Sequence, residues 1–498
     1  MRTRAGELHQ RRVLAIGLGL LTACRPGPEV PAAIGGARPN VVLISLDTLR
    51  ADRLNAYGYT VRPTSPHIDA LAGDGILHTA HIAASPWTTP SHMSLLTSMH
   101  PSSHGVISSF GELNAGLHGG APFVRLAGDR VTLAEALLEE GYRTAAYTGG
   151  GPLHPSIGFD QGFEEYSSTM YKVDEAGMGE MLDWIDRDDR RPFFLFWHTF
   201  EVHAPYLHPD FLPDSLAAVA DEVLALHADD VEDDRRHVAA RTALLDLLKA
   251  HDAFLPWVSS TLYDGAIASA DAWVGRLLSF LRERGLYDST LIVLTSDHGE
   301  EFADRDPARF YDQHGRSAYD EMIRVPLILK LPDSRHAGLA VDGLSRAIDV
   351  MPTVLGVAAV HAPAEQMQGD DLAPLWSGGA ARSGRVAFTE GTAAGDELKS
   401  LRTESHKLIL EIAMDRVREQ GRAFVPETLQ RVRLFDLRSD PGERSDLLAA
   451  PAAAEAELAA ALEARVREIV GAASAEVEAI ELDAQTLREL EALGYLGR

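Results

Sequence analysis

Cysteine is nearly missing from this chain: Cys24 is the only one in 498 residues. That excludes an internal disulfide and any metal site built from several thiolates. Positive charge is scarce as well. Lys and Arg total 46 against 73 Asp and Glu, for a formal net charge of −27. So acidic a chain is a poor general binder of nucleic acid, because that affinity comes from neutralising phosphates with basic side chains. A local site for one small anion is still allowed. Near the start, the apolar run Val13 to Ala23 is too short to cross a bilayer as a helix. With 45% hydrophobic and 24% charged residues, the composition is that of a folded globular protein. The length allows a large core domain with a smaller one beside it.

Arg2, Arg4, Arg11 and Arg12 precede the apolar run, and Leu21-Thr22-Ala23-Cys24 closes it. A basic region, an apolar core and small residues in that order read as a secretory signal peptide. Its end resembles the bacterial lipobox, which implies cleavage before Cys24 and lipidation of that cysteine. Arg25 in place of an aspartate favours the outer membrane, by analogy with bacterial sorting. The expectation is an exported cell-envelope lipoprotein, held to the membrane by its lipid. Residues 1–23 are then the signal peptide, and 24–38, rich in Pro, Gly and Ala, a flexible tether.

From Asn40 the pattern changes. Asn40 to Leu46 is nearly all apolar, as a buried parallel strand requires. Similar runs recur at Arg143 to Tyr147, Pro192 to Trp197, Thr290 to Leu294 and Pro326 to Leu331. Helical patterns lie between them. Thr132 is the expected cap of a helix over Leu133 to Glu140, with Glu135 completing a capping box and Gly141 ending it. Ala266 to Arg284 is amphipathic and stops at Gly285. Alternation of this kind predicts an α/β fold, a mostly parallel mixed sheet sandwiched by helices. The expected catalytic domain spans 39–360, with a helical surface insertion over about 207–257 that carries acidic clusters. Residues 361–498 are expected to form a smaller C-terminal α+β subdomain, with an Ala/Glu-rich helix from Ala452 to Val470.

Ligands of open α/β sheets bind beyond the carboxyl ends of the strands. Polar clusters fall at such ends here. Asp47 follows the first strand, and Thr88 lies in Pro86-Trp87-Thr88-Thr89-Pro90-Ser91-His92. His198 and His203 follow the strand ending at Trp197, and Asp297-His298-Gly299 follows the one ending at Leu294. A fifth cluster, His314 to Ser317, is loop-like. Asp47, Asp297 and His298 are a candidate ligand set for one divalent ion, whether Mg²⁺, Ca²⁺, Mn²⁺ or Zn²⁺. The imidazole favours Mn²⁺ or Zn²⁺. Such an ion beside Thr88 would lower its hydroxyl pKa and make it a nucleophile and fourth ligand. Thr88 also precedes a helical run, Ser91 to Thr97, whose N-terminus favours an anion. His203 and His314 are candidate donors or general acids for the leaving oxygen. Ser91, His92 and His198 are candidate substrate contacts.

Together these segments resemble the sulfatase family of the alkaline-phosphatase superfamily, along nearly all of the chain after the tether. Asn40 to Asp52 resembles the family's opening strand and its metal aspartate, and Pro66 to Ala72 the segment after it. Thr88 to Ser91, followed by Leu95 to Ser98, resembles the nucleophile signature. His203-Ala204-Pro205-Tyr206, Tyr263 through Glu300, His314 to Pro326, and Leu434 to Pro441 match further elements in family order. The resemblance implies a metal-dependent hydrolase of sulfate or phosphate esters.

The departures bear on mechanism. Sulfatases use a formylglycine made from Cys or Ser, and here that position holds Thr88. The family's arginine four residues on is His92, and the second aspartate of its usual pair is Thr48. A family lysine has no counterpart near Thr148-Gly149-Gly150-Gly151. An aldehyde hydrate sheds sulfate by collapsing back to aldehyde, whereas a threonine ester must be opened by water. Related threonine branches, the nucleotide pyrophosphatase/phosphodiesterases and the lipoteichoic-acid synthases, act on phosphate. The expected substrate is therefore a small anionic ester, possibly carried on a glycan or lipid, with phosphoesters or phosphodiesters ahead of sulfates. A two-metal phosphodiesterase would need a further set, for which Glu201, His203 and His314 are the nearest residues. The alternatives are a non-catalytic binder of an anionic glycan or lipid, and a phospho-group transferase.

Overall fold

The computed structural model describes residues 38–107, 123–204, 206, 208–214, 217, 255–302, 304–305, 314–361, 363–377, 384–391, 397–412, 429–472 and 477–481. Cys24, the expected signal peptide, the expected tether up to residue 37 and most of the expected insertion lie outside them.

The central sheet is built from β1 (Asn40–Leu46), β2 (Ile76–Ile82), β4 (Arg143–Tyr147), β5 (Glu165–Ser167), β6 (Phe193–Thr199), β7 (Thr290–Thr295), β8 (Arg324–Lys330), β9 (Leu339–Val341) and β10 (Ser345–Arg346). Its strand order is β10-β2-β8-β7-β1-β6-β4-β5, with β9 also on β2. Pairing is parallel except where β8 meets β2 and β7. β1 lies at the centre, between β6 and β7.

β1 reads as a continuous apolar run because both of its faces are covered. Val42, Ile44 and Leu46 pack with the helix Leu255–Glu283, while Val41 and Leu43 pack with the opposite layer, including Leu95, Leu137 and Val354. The helix Leu133–Glu139 starts with the expected capping box of Thr132 and Glu135. The turn after it needs Gly141, at φ +86°. Among the described residues no helix is long and apolar enough to cross a membrane.

The C-terminal region is α+β, as expected. Strands β11 (Ala387–Gly391), β12 (Glu397–Arg402), β13 (His406–Ile412) and β14 (Leu429–Asp436) form an antiparallel sheet. Leu401, Leu408 and Leu434 pack beneath the helix Ala453–Gly471. Ile409 and Phe435 face Met322 and Ile323 of the central domain. The last described strand, β15 (Val477–Ile480), returns to pair with β3 (Phe123–Leu126).

Two helices differ in extent from the sequence reading. The long helix begins at Leu255 rather than Ala266. The helix after the Thr88 motif, here called α1, spans Thr88–Thr97, three residues earlier than Ser91. Pro90 does not exclude the first turn, because a first-turn N–H has no partner within the helix and proline loses nothing there.

Candidate active site

Four elements converge beyond the carboxyl edge of the sheet. Asp47 follows β1, Asp297 and His298 follow β7, His198 sits near the end of β6, and Thr88 opens α1. All five side chains are buried. Thr88 Oγ1 lies 3.2 Å from His298 Nε2, which is itself 3.2 Å from Asp297 Oδ2. Loop-to-loop bonds hold this junction. Leu49 N–H donates to Ser296 Oγ (2.9 Å), whose hydroxyl donates to the His298 carbonyl (2.8 Å). The Ser91 hydroxyl donates to the Asp297 carbonyl (2.7 Å), so this residue ties α1 to the β7 loop.

Two residue groups are close enough to hold a cation among the described residues: Asp47, Asp297 and His298, and Asp47, His92 and His198. Proton placement distinguishes them. His298 Nδ1 lies 2.9 Å from the Gly299 carbonyl, which can only accept, so Nδ1 carries the hydrogen and Nε2 presents a lone pair. His198 is the reverse. Its Nδ1 accepts the Gly149 N–H (3.2 Å), so Nε2 carries the proton and donates to Asp47 Oδ2 (3.2 Å). His92 Nδ1 donates to the Thr88 carbonyl (3.0 Å), and its Nε2 faces Ser45 Oγ at 2.8 Å. Only the first group therefore aims lone pairs at one point. His198 orients Asp47, and His92 braces the first turn of α1.

The charges agree with this choice. Asp47 Oδ1 and Asp297 Oδ2 are buried and accept no hydrogen bond among the described residues. Burial, and then the Asp297 carboxylate beside it, push the Asp47 pKa well above the usual range. Burial acts the same way on Asp297, but the imidazoles of His298, His92 and His198 outweigh it and hold that pKa low. Two buried carboxylates with orphaned oxygens call for a cation between them. The residues thus fit a divalent ion held by Asp47, Asp297, His298 and the Thr88 hydroxyl. Thr48, at the place of the family's second aspartate, has φ +61°, a strained value for a β-branched residue. Its N–H donates to Asp297 Oδ1 at 3.3 Å.

The other histidines continue outward from His298. His314 stacks on His298 with ring centroids 4.6 Å apart, and His203 meets His314 edge-on at 4.9 Å. Trp87 covers His314 at 4.9 Å. His314 Nδ1 faces Glu300 Oε1 at 3.3 Å, and the Tyr206 hydroxyl donates to Glu300 Oε2 at 3.0 Å. His203 donates through Nδ1 to the Ala204 carbonyl, and its buried Nε2 has no partner among the described residues. Burial, then His314, lower its pKa to about 3, so the ring is neutral near pH 7. A neutral ring with its proton on Nδ1 can accept a hydrogen bond at Nε2, and in this state it is neither the expected donor nor the expected acid there.

Glu201 does not join a second metal set. Ser269 Oγ (2.6 Å) and His208 Nε2 (2.9 Å) occupy its Oε1, and Val173 N–H (3.1 Å) its Oε2. Glu300 and Lys172 were not singled out from sequence. Glu300 had a signal, standing two residues after His298 in an Asp-His-Gly-Glu run. Lys172 had none, since it lies in a connecting segment after a three-residue strand.

A mostly parallel sheet between helices, with a hydroxyl at a helix N-terminus facing a carboxylate–imidazole cation seat, defines a hydrolase of the alkaline-phosphatase superfamily. More narrowly, the chain belongs to the sulfatase family, whose model matches residues 39–360. The model described as N-sulphoglucosamine sulphohydrolase, C-terminal, matches residues 308–471. An ulvan-active sulfatase of Formosa agariphila is 27% identical over 68% of this chain, and the match spans 65% of that enzyme. A steryl-sulfatase of Rattus norvegicus is 27% identical, over 72% of each chain. Among solved structures, the phosphonate monoester hydrolase of Agrobacterium radiobacter shares the fold, with a TM-score of 0.61 at 21% identity, over 90% of this chain and 99% of that one.

Proposed function

We propose that this protein hydrolyses small anionic esters through Thr88, with phosphoesters and phosphodiesters preferred over sulfates. The observation that carries the reading is the Thr88 hydroxyl in the first turn of α1, 3.2 Å from the lone-pair nitrogen of His298. A divalent ion bound by Asp47, Asp297, His298 and Thr88 would supply a lowered hydroxyl pKa and neutralise the carboxylates.

The chain's own residues account for the remaining steps. Thr88 Oγ1 attacks the tetrahedral centre; a bond to Oγ1 forms as the bond to the leaving oxygen breaks, and the proton lost by the Thr88 hydroxyl passes through solvent to that oxygen, so an alcohol departs. The backbone N–H groups opening α1, and its dipole, oppose the charge on the transferred group. The resulting threonine ester has no internal route of collapse, so water must open it. His203, neutral and with Nε2 unpartnered among the described residues, accepts a hydrogen bond from that water and aligns it, and the water's proton ends on Thr88 Oγ1 as the bond to Oγ1 breaks.

The test is metal analysis of the purified protein, combined with a panel of aryl sulfate, phosphate, phosphonate and phosphodiester substrates. The expected outcome is one divalent ion per chain and turnover of an aryl phosphodiester above that of the aryl sulfate. Turnover of the sulfate alone, with an aldehyde mass at residue 88, would sink the threonine mechanism. We also propose that Cys24 anchors the protein in the cell envelope. Incorporation of labelled palmitate by cells, abolished in Cys24→Ala, is the expected result, and equal labelling of the variant would refute it.

A further inference from the structure

Lys172 is a part-buried cation beside the site that the mechanism leaves unused. Its ammonium donates to three main-chain carbonyls, those of Phe200 (2.6 Å), Glu201 (3.1 Å) and His203 (2.8 Å). All three protons of the ammonium are thus used, on acceptors that belong to a single turn. Burial brings its pKa down to about 8 against the opposing pull of Glu201 and Asp47. A point charge with three donors suits such a cluster of converging carbonyls better than a planar guanidinium does.

The turn in question leaves β6 and ends at His203. More bonds from the same segment fasten it. Phe200 N–H and Thr199 Oγ1 donate to the Tyr171 carbonyl at 3.0 and 3.2 Å, and Val173 N–H reaches Glu201 Oε2 at 3.1 Å. Met170 N–H in turn donates to the Thr148 carbonyl at 2.8 Å. Residues 170–173 therefore form a clasp over the turn, with Lys172 as its only side-chain cation.

We infer that Lys172 is a positioning residue: it clamps the Phe200–His203 turn so that His203 stays in the row of imidazoles, His203, His314 and His298, that ends at Thr88. The inference rests on His203 being the group that aligns the water opening the Thr88 ester. Loss of the clamp should then slow the opening of the Thr88 ester and leave its formation largely alone.

Rapid-mixing kinetics of the metal-loaded full chain with bis(4-nitrophenyl) phosphate test this. In His203→Gln, a burst approaching one equivalent of 4-nitrophenol is expected, followed by slow turnover. Lys172→Met should show the same burst, with the steady-state rate down about 10- to 100-fold and the burst rate changed far less. The burst amplitude counts folded sites, so partial unfolding is measured within the same trace. If Lys172→Met does not fold, Lys172→Gln, which keeps amide donors, takes its place with the same expectation. A burst in His203→Gln with both rates falling together in the Lys172 variant overturns the clamp and leaves the water-aligning role of His203 standing. No burst in His203→Gln overturns that role, and the clamp's catalytic meaning with it.

Discussion

Replacing Thr88 by alanine is expected to reduce kcat/KM by at least about 10⁴-fold while leaving the thermal midpoint nearly unchanged. Removing a nucleophile from a site that acts as a unit costs on the order of 10⁴ to 10⁶. The fold has little to lose. Thr88 is the first residue of α1, where alanine is well tolerated, and its buried hydroxyl serves His298 rather than capping the helix. Thr88→Ser keeps the oxygen and should retain measurable turnover with the same metal content. A covalent adduct trapped on the residue-88 peptide in wild type, and missing in Thr88→Ala, would identify the ester directly. Unchanged turnover by Thr88→Ala on every ester that the wild type cleaves would show that the hydroxyl is not the nucleophile.

Asp297→Asn should abolish most of the stability that a bound metal ion gives the wild type. In wild type stripped of metal, Asp47 and Asp297 face each other with oxygens that accept no hydrogen bond among the described residues. The Asp47 pKa is raised, first by burial and then by Asp297. A carboxyl whose folded pKa is raised contributes stability at low pH, and that contribution is lost as pH rises through the folded value. Asp47 should therefore weaken the metal-free wild type as pH rises from the ordinary carboxylate range, while Asp297, whose pKa is held low, adds stability over the same range. In Asp297→Asn the Asp47 penalty is smaller, because one repulsive partner is gone, although burial, the larger cause, remains, and the Asp297 contribution is lost. Its amide oxygen can still accept the Thr48 N–H that Asp297 Oδ1 receives at 3.3 Å. With metal present the two proteins should separate. Wild type should gain about 2.7 kcal/mol when the ion stands at a hundred times its Kd, and the variant should gain little. Urea titrations with and without Mn²⁺ or Zn²⁺ at several pH values measure both effects. An equal gain in the variant would remove Asp297 from the ligand set.

Much of the site was readable because its residues stand at the ends of apolar runs. Asp47 after Asn40–Leu46 and Asp297-His298 after Thr290–Thr295 fall where a parallel sheet places its ligands. Thr88 was legible from its place before a helical run, and the helix starts on it. The roles of the histidines were not legible in the same way. His198 sits one residue inside β6, in register with Ser45, so its ring points beneath Asp47 rather than toward a substrate. Ser91 was read as a substrate contact, but its hydroxyl is taken up by the Asp297 carbonyl. Glu201 lies two residues before His203, yet Ser269, His208 and Val173 claim its carboxylate.

The sequence by itself determined the α/β sandwich, the smaller C-terminal α+β subdomain and the positions that gather at the sheet's edge. Apolar periodicity, caps and strand ends are local properties, carried by neighbours along the chain. Which nitrogen of each histidine bears a proton was decided only by tertiary structure, because it depends on which N–H or carbonyl the folded ring faces, whether that group is a neighbour in sequence or far away. Gly149 N–H makes His198 a donor to Asp47, while the Gly299 carbonyl leaves His298 with a lone pair toward Thr88. Lys172 belongs to the same class: its three carbonyls lie about thirty residues downstream and meet it only because β5 and β6 both flank β4.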